Sequence, residues 1–145
     1  YHACLLSGID ETENAMKVRL RANTIRLRLT QEEVSAISGG EPVKLCTSFG
    51  AGFRQQLVWM VSAHHVGSSN TTILFDGSQV AIELSGEHVS NWLSDGTVEG
   101  FTETVASDAE ESIILTVQRD YACLVPRDPA EDAGAFPHPG GGECC

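Results

Sequence analysis

The sequence predicts an α+β domain in which a β-β-α-β-β unit occurs twice, as a mainly antiparallel sheet or barrel of about eight strands with two short helices. Two observations lead to this prediction. Residues 16–43 align without a gap over residues 71–98, and residues 57–61 align over residues 113–117. In both copies, apolar residues alternate with polar ones over short runs, which is typical of half-buried strands.

Each copy opens with a predicted hairpin. In the first copy, Ala22 and Asn23 form the turn, and in the second copy residues 76–78 do so. The alternating apolar positions of the first hairpin are Val18, Leu20, Ile25, Leu27 and Leu29, and they match Ile73, Phe75, Val80, Ile82 and Leu84 of the second.

Short helices are predicted at about 31–38 and 86–94. Thr30 and Ser85 are the expected N-caps, and Thr30 with Glu33 fits a capping box. Each predicted helix is soon followed by glycine, which is typical of the C-terminal end of a helix. Further strands are predicted near 43–49, 55–63, 97–105 and 112–124.

The 145 residues suit one domain. Residues 1–15 are interpreted as an N-terminal extension or as sequence left over from cloning, and residues 16–145 as the single domain. Repeat 1 covers residues 16–63 and repeat 2 covers residues 71–119. Residues 125–145 contain four of the five prolines and are expected to form an irregular acidic tail.

The composition excludes several classes of protein. Nine Lys and Arg against twenty Asp and Glu give a net charge of −11, which disfavours binding to nucleic acid or an anionic membrane. An apolar content of 41% argues against disorder. The five cysteines are too few and too irregularly spaced for a disulfide framework. Cys46 alternates within a predicted strand and is expected in the core.

The first hairpin carries five cations on the face opposite its apolar residues. They are Lys17, Arg19, Arg21, Arg26 and Arg28. Arginine forks suit carboxylate or phosphate, so this face is a candidate site for a small anion or an acidic partner. Two alternatives remain open: a solvated face that deters edge-to-edge association, or pairing with the chain's own acids, for which Asp120, Asp128, Glu131 and Asp132 are candidates.

A second candidate site lies in the tail. Zinc binds sets of cysteine and histidine, and the possible ligands are Cys123, His138, Cys144 and Cys145. Their spacing lacks a C-x2-C pair. The alternatives are a buried Cys123 with a reduced terminus, or a disulfide between Cys123 and Cys144 or Cys145. No other cofactor is expected.

No catalytic motif stands out. The sequence contains no G-x-S-x-G, P-loop or H-E-x-x-H pattern. His64 has no partner in the sequence that suggests a general base. We therefore assign no catalytic residue and expect a protein that is not an enzyme.

Two segments, MKVRLRANTIRLRLTQEEV (16–34) and VQRDYACLVPRDPAEDAGAFPHP (117–139), resemble an uncharacterised family of small bacterial proteins with a domain of unknown function. The resemblance implies a bacterial, cytoplasmic protein and no known activity.

The duplicated unit with inward cations is also similar in outline to the triphosphate tunnel metalloenzymes. That resemblance implies eight strands closed around a polyphosphate and a divalent metal. However, K-x-R-x-R (Lys17, Arg19, Arg21) replaces their E-x-E-x-K strand, and Glu83 alone cannot hold the metal. The leading hypothesis is a non-enzymatic domain whose basic face binds an acidic partner, an anionic ligand or its own tail. The alternative is a phosphohydrolase, and the oligomeric state stays open.

Overall fold

A computed structural model describes residues 15–52, 55–64, 70–107, 110–121 and 136. These residues form an α+β fold with eight strands and two helices, as predicted. The elements in chain order are β1 (Lys17–Arg21), β2 (Thr24–Leu29), α1 (Gln31–Ser38), β3 (Val43–Ser48), β4 (Gln56–Ala63), β5 (Thr72–Phe75), β6 (Gln79–Leu84), α2 (Gly86–Ser94), β7 (Gly100–Val105) and β8 (Ile113–Arg119).

The strands form two four-stranded sheets. Sheet A has the order β1-β2-β8-β7, and sheet B has the order β3-β4-β6-β5. The expectation of one sheet or barrel is wrong for the described residues, because each sheet ends at two edge strands and its last strand does not pair with its first. Within the described strands, the cations of the first hairpin therefore line no closed tunnel.

Each sheet consists of two antiparallel hairpins joined by a central parallel pair, β2 with β8 in sheet A and β4 with β6 in sheet B. In sheet A, Ile25 lies opposite Leu115. In sheet B, Val80 lies opposite Trp59. One hairpin in each sheet comes from residues 17–63 and the other from residues 72–119.

A single apolar core takes side chains from both sheets and both helices. Leu27 and Leu115 from sheet A, Ile82 from sheet B and Trp92 from α2 are almost completely buried. Burial of a side chain of this size contributes about 2 kcal/mol. One face of each sheet therefore packs against the core, and the other face points away from it.

The start of α1 is fixed by the predicted capping box. The backbone N–H of Glu33 donates to Thr30 Oγ1 at 3.3 Å, and the backbone N–H of Thr30 donates to Glu33 Oε1 at 2.9 Å. The second oxygen of Glu33 accepts from the backbone N–H of Met16 at 2.9 Å. Glu33 therefore ties the residue before β1 to the helix that follows β2.

Ser85 caps α2, because its hydroxyl accepts from the backbone N–H of His88. Neither of the two described helices has the length and apolar character that crossing a membrane requires.

Candidate functional site

The cations of the first hairpin lie on the outward face of sheet A. Along β2, Ile25, Leu27 and Leu29 are buried, whereas Arg26 and Arg28 are half-buried on the other side. Residues of β1 alternate in the same way, so Lys17, Arg19 and Arg21 share that outward side. The structure thus brings all five predicted residues together on one face.

The hairpin register places like charges opposite each other. Lys17 lies opposite Arg28, and Arg19 lies opposite Arg26. Directly opposed like charges in a sheet are destabilising. The hairpin contains two such pairs.

The face continues across the sheet as uncharged positions, several of which are polar. Arg26 is followed by Thr116 on β8 and Thr102 on β7, and the two threonine hydroxyls are 3.0 Å apart. Three rows of cross-strand neighbours on β1, β2, β8 and β7 form this outward surface, which we call the basic face. None of these described positions is acidic. The rows are Lys17, Arg28, Gln118 and Gly100; Arg19, Arg26, Thr116 and Thr102; and Arg21, Thr24, Ile114 and Thr104.

One carboxylate lies at the border of the basic face. Asp120 Oδ2 is 3.1 Å from Lys17 Nζ. The backbone N–H of Asp120 donates to Leu29 O at 2.9 Å, which continues the pairing of β8 with β2 and holds Asp120 at the end of the sheet. Asp128, Glu131 and Asp132, the other acids named as internal partners, lie outside the described residues.

The proposed metal ligands Cys123, His138, Cys144 and Cys145 also lie outside the described residues, so zinc binding stays a prediction. Within the described part of the chain, no three His, Cys, Asp or Glu side chains come together as a metal site.

Cys46 is not the core residue that the alternation suggested. Its neighbour Leu45 packs against the core, whereas Cys46 lies opposite Val58 on the outward face of sheet B. Cys46 is disulfide-bonded. The other four cysteines of the chain lie outside the described residues.

A second group of side chains was missed by sequence reasoning. His64 Nδ1 lies 3.3 Å from Glu83 Oε2 beside a cavity of about 500 Å³ between α1 and α2. The pair forms because β4 and β6 are parallel, with Ser62 opposite Glu83. His64 Nε2 is buried without a hydrogen-bond partner. His64 is also one of the residues that line the cavity.

A second His–Glu pair joins α2 to β7. His88 Nδ1 lies 2.9 Å from Glu103 Oε2, and the His88 ring stacks on Phe101 with 5.6 Å between centroids. Glu103 Oε2 nevertheless receives no hydrogen bond of acceptable geometry. The stacking of His88 on Phe101 and the edge contact of Trp92 with Phe101 hold α2 against β7.

A family model described as a family of unknown function, DUF7009, matches residues 16–140. No curated protein matches the chain.

Proposed function

The chain belongs to the family of unknown function DUF7009, and we propose that it is a non-enzymatic binding domain whose basic face recognises an acidic segment of a partner protein. One observation carries this proposal. Five cations share one face of sheet A, and no described position of the three rows on that face is acidic.

The cations of the basic face have no counterpart in the second half of the chain, which supports a role in binding and not in a fold that both halves share. We infer that residues 16–63 and 71–119 are two copies of one unit. The matching strand orders of the two sheets, and the equivalent pairing of Ile25 with Leu115 and of Val80 with Trp59, support this inference. In the second copy, the positions matching the basic hairpin are Thr72, Leu74, Asp76, Ala81 and Glu83.

The overall charge favours an acidic protein segment over nucleic acid. A chain of net charge −11 repels a long polyanion. A short acidic segment feels mainly the charges within the Debye length, which is about 8 Å at physiological ionic strength. The basic face is therefore able to attract such a segment although the whole chain is acidic.

The phosphohydrolase alternative gains no support from the geometry. An enzyme with a cationic tunnel surrounds its substrate, whereas these cations lie along one side of an open sheet. Glu83, the one carboxylate considered for a metal, lies on sheet B beside His64.

The test is a titration of the protein with a fluorescent Glu-rich peptide, followed by anisotropy. Arg21→Glu should weaken binding about fivefold, as expected for losing one exposed ion pair of about 1 kcal/mol. Lys44→Glu is the matched control, because Lys44 is also exposed on an edge strand and its reversal changes the net charge equally. Equal effects of the two substitutions, or no binding by the wild type, would refute the proposal.

The chain's own tail is the competing occupant of the basic face. If the tail covered it, the combined substitution Asp128→Asn, Glu131→Gln and Asp132→Asn would raise peptide affinity. Under the proposal, the same variant binds as the wild type does.

A further inference from the structure

Strand β1 is an edge strand of sheet A. Among the described residues it pairs with β2 on one side and has no strand on the other. Lys17, Arg19, Leu20 and Arg21 are all exposed. An edge strand presents backbone N–H and C=O groups that an added strand can pair with.

The backbone groups directed to the open edge can be identified. Asn23 O accepts from the backbone N–H of Ile114, and Leu29 O accepts from that of Asp120, so the odd-numbered residues of β2 bond to β8. The even-numbered residues of β2 therefore bond to β1, where their partners are Lys17, Arg19 and Arg21.

Along β1, the backbone N–H and C=O groups of successive residues point alternately toward β2 and away from it. Those of Val18 and Leu20 therefore point away from β2, out of the sheet edge. The side chains of the same two residues lie on the face opposite the cations. Leu20 is 61% exposed, which is unusual for a large apolar side chain on the core side of a sheet.

We propose that β1 accepts an extended segment as a fifth strand, and that this segment alternates acidic with apolar residues. Acidic side chains at every second position would fall beside Lys17, Arg19 and Arg21. The apolar residues between them would lie on the side of Val18 and Leu20. The inference rests on the proposed function, which supplies the acidic character of the partner.

The charges of β1 distinguish this partner from a second copy of the chain. Two β1 strands brought edge to edge would place their lysine and arginine side chains together, and like charges at a sheet edge oppose such pairing. An acidic segment would instead place carboxylates beside these lysine and arginine side chains, and the interaction would be attractive. The equivalent edge strand β5, of sequence TILF, carries no charged residue and gives an acidic segment no such preference.

The experiment compares two peptides of equal composition, one alternating Glu with Val over seven residues and one with all its Glu residues at one end. We expect the alternating peptide to bind at least about tenfold more tightly. In amide hydrogen exchange followed by NMR, its binding should slow exchange at Val18 and Leu20 by about tenfold, because their N–H groups gain acceptors.

The outcomes separate the two proposals. If both peptides bind equally, with salt dependence but without protection at Val18 and Leu20, strand addition is wrong while the proposed function stands. If neither peptide binds, the proposed function is wrong and strand addition fails with it. Protection at β5 and not at β1 would also overturn the inference, because β5 lacks the cations.

Discussion

Lys17 and Arg28 lie directly opposite each other on β1 and β2, and Lys17 Nζ is also 3.1 Å from Asp120 Oδ2. Lys17 therefore has a like charge opposite it and a carboxylate beside it. The opposed pair of Lys17 and Arg28 is unfavourable for folding, so replacing one of the two charges should favour it.

The first prediction concerns that pair. Arg28→Glu places a carboxylate opposite Lys17, and we expect the free energy of unfolding to rise by about 0.5 kcal/mol in low salt. Affinity for a Glu-rich peptide should fall in the same variant. Urea unfolding measures the first effect and anisotropy the second. Arg28→Gln is the control, with a smaller gain; a loss of stability in both variants would show that Arg28 is needed for folding.

The second prediction concerns the cap of α1. Thr30→Ala removes the hydroxyl that accepts from the Glu33 N–H, and we expect it to cost about 1 kcal/mol of unfolding free energy. Thermal or urea unfolding provides the measurement. The matched variant is Ser85→Ala, because Ser85 caps α2 by its hydroxyl without the second hydrogen bond that the capping box of α1 has. No destabilisation by Thr30→Ala would contradict the assigned role of the capping box.

The third prediction concerns pH and the turn between β5 and β6. Hydrogen bonds from the backbone N–H groups of Ser78 and Gln79 lower the pKa of Asp76. A carboxyl whose folded-state pKa is lowered stabilises the fold above its unfolded pKa, and this stability is lost as the pH falls through the folded pKa.

Asp76→Asn removes the titrating group and keeps an acceptor. The stability advantage of the wild type over this variant should therefore shrink as the pH is lowered from neutral into the acidic range. Urea unfolding at a series of pH values measures it. A difference that grows on acidification would show that the pKa is raised in the folded protein.

The fourth prediction concerns Cys46, which is disulfide-bonded. Peptide mapping of the non-reduced protein should recover the segment containing Cys46 joined to a second cysteine-containing segment. Because a disulfide restricts the unfolded chain, reduction should lower the unfolding free energy by about 2–4 kcal/mol. Cys46→Ser should behave as the reduced protein does, without a further change on adding reductant. Recovery of Cys46 as a free thiol from protein kept under oxidising conditions would contradict the assignment.

Local features were predictable from the sequence. The helices at 31–38 and 86–94 follow from caps and periodicity over a few residues, and the structure gives the same bounds. The outward direction of Arg26 and Arg28 follows from the alternation along one strand. Such signals depend only on neighbouring residues, which is why they can be read without knowing the pairing of distant strands.

Long-range pairing was not predictable in the same way. Nothing near Arg26 indicates that Thr116 lies beside it, because the parallel pairing of β2 with β8 joins segments about 90 residues apart. The division into two sheets and the contact of His64 with Glu83 depend on the same kind of pairing. The position of Cys46 could have been predicted, because Val43 and Leu45 mark the buried face of β3 and Cys46 alternates with them.

Binding of an acidic segment to the basic face is tested most directly by an NMR titration of the isotope-labelled protein with a Glu-rich peptide. We predict saturable shifts of amide resonances in β1, β2 and β8 around Arg19, Arg26 and Thr116. Added salt and Arg21→Glu should weaken this binding, whereas Lys44→Glu should not. An absence of saturable shifts, or shifts centred on the outward face of sheet B around Lys44 and Leu74, would contradict it.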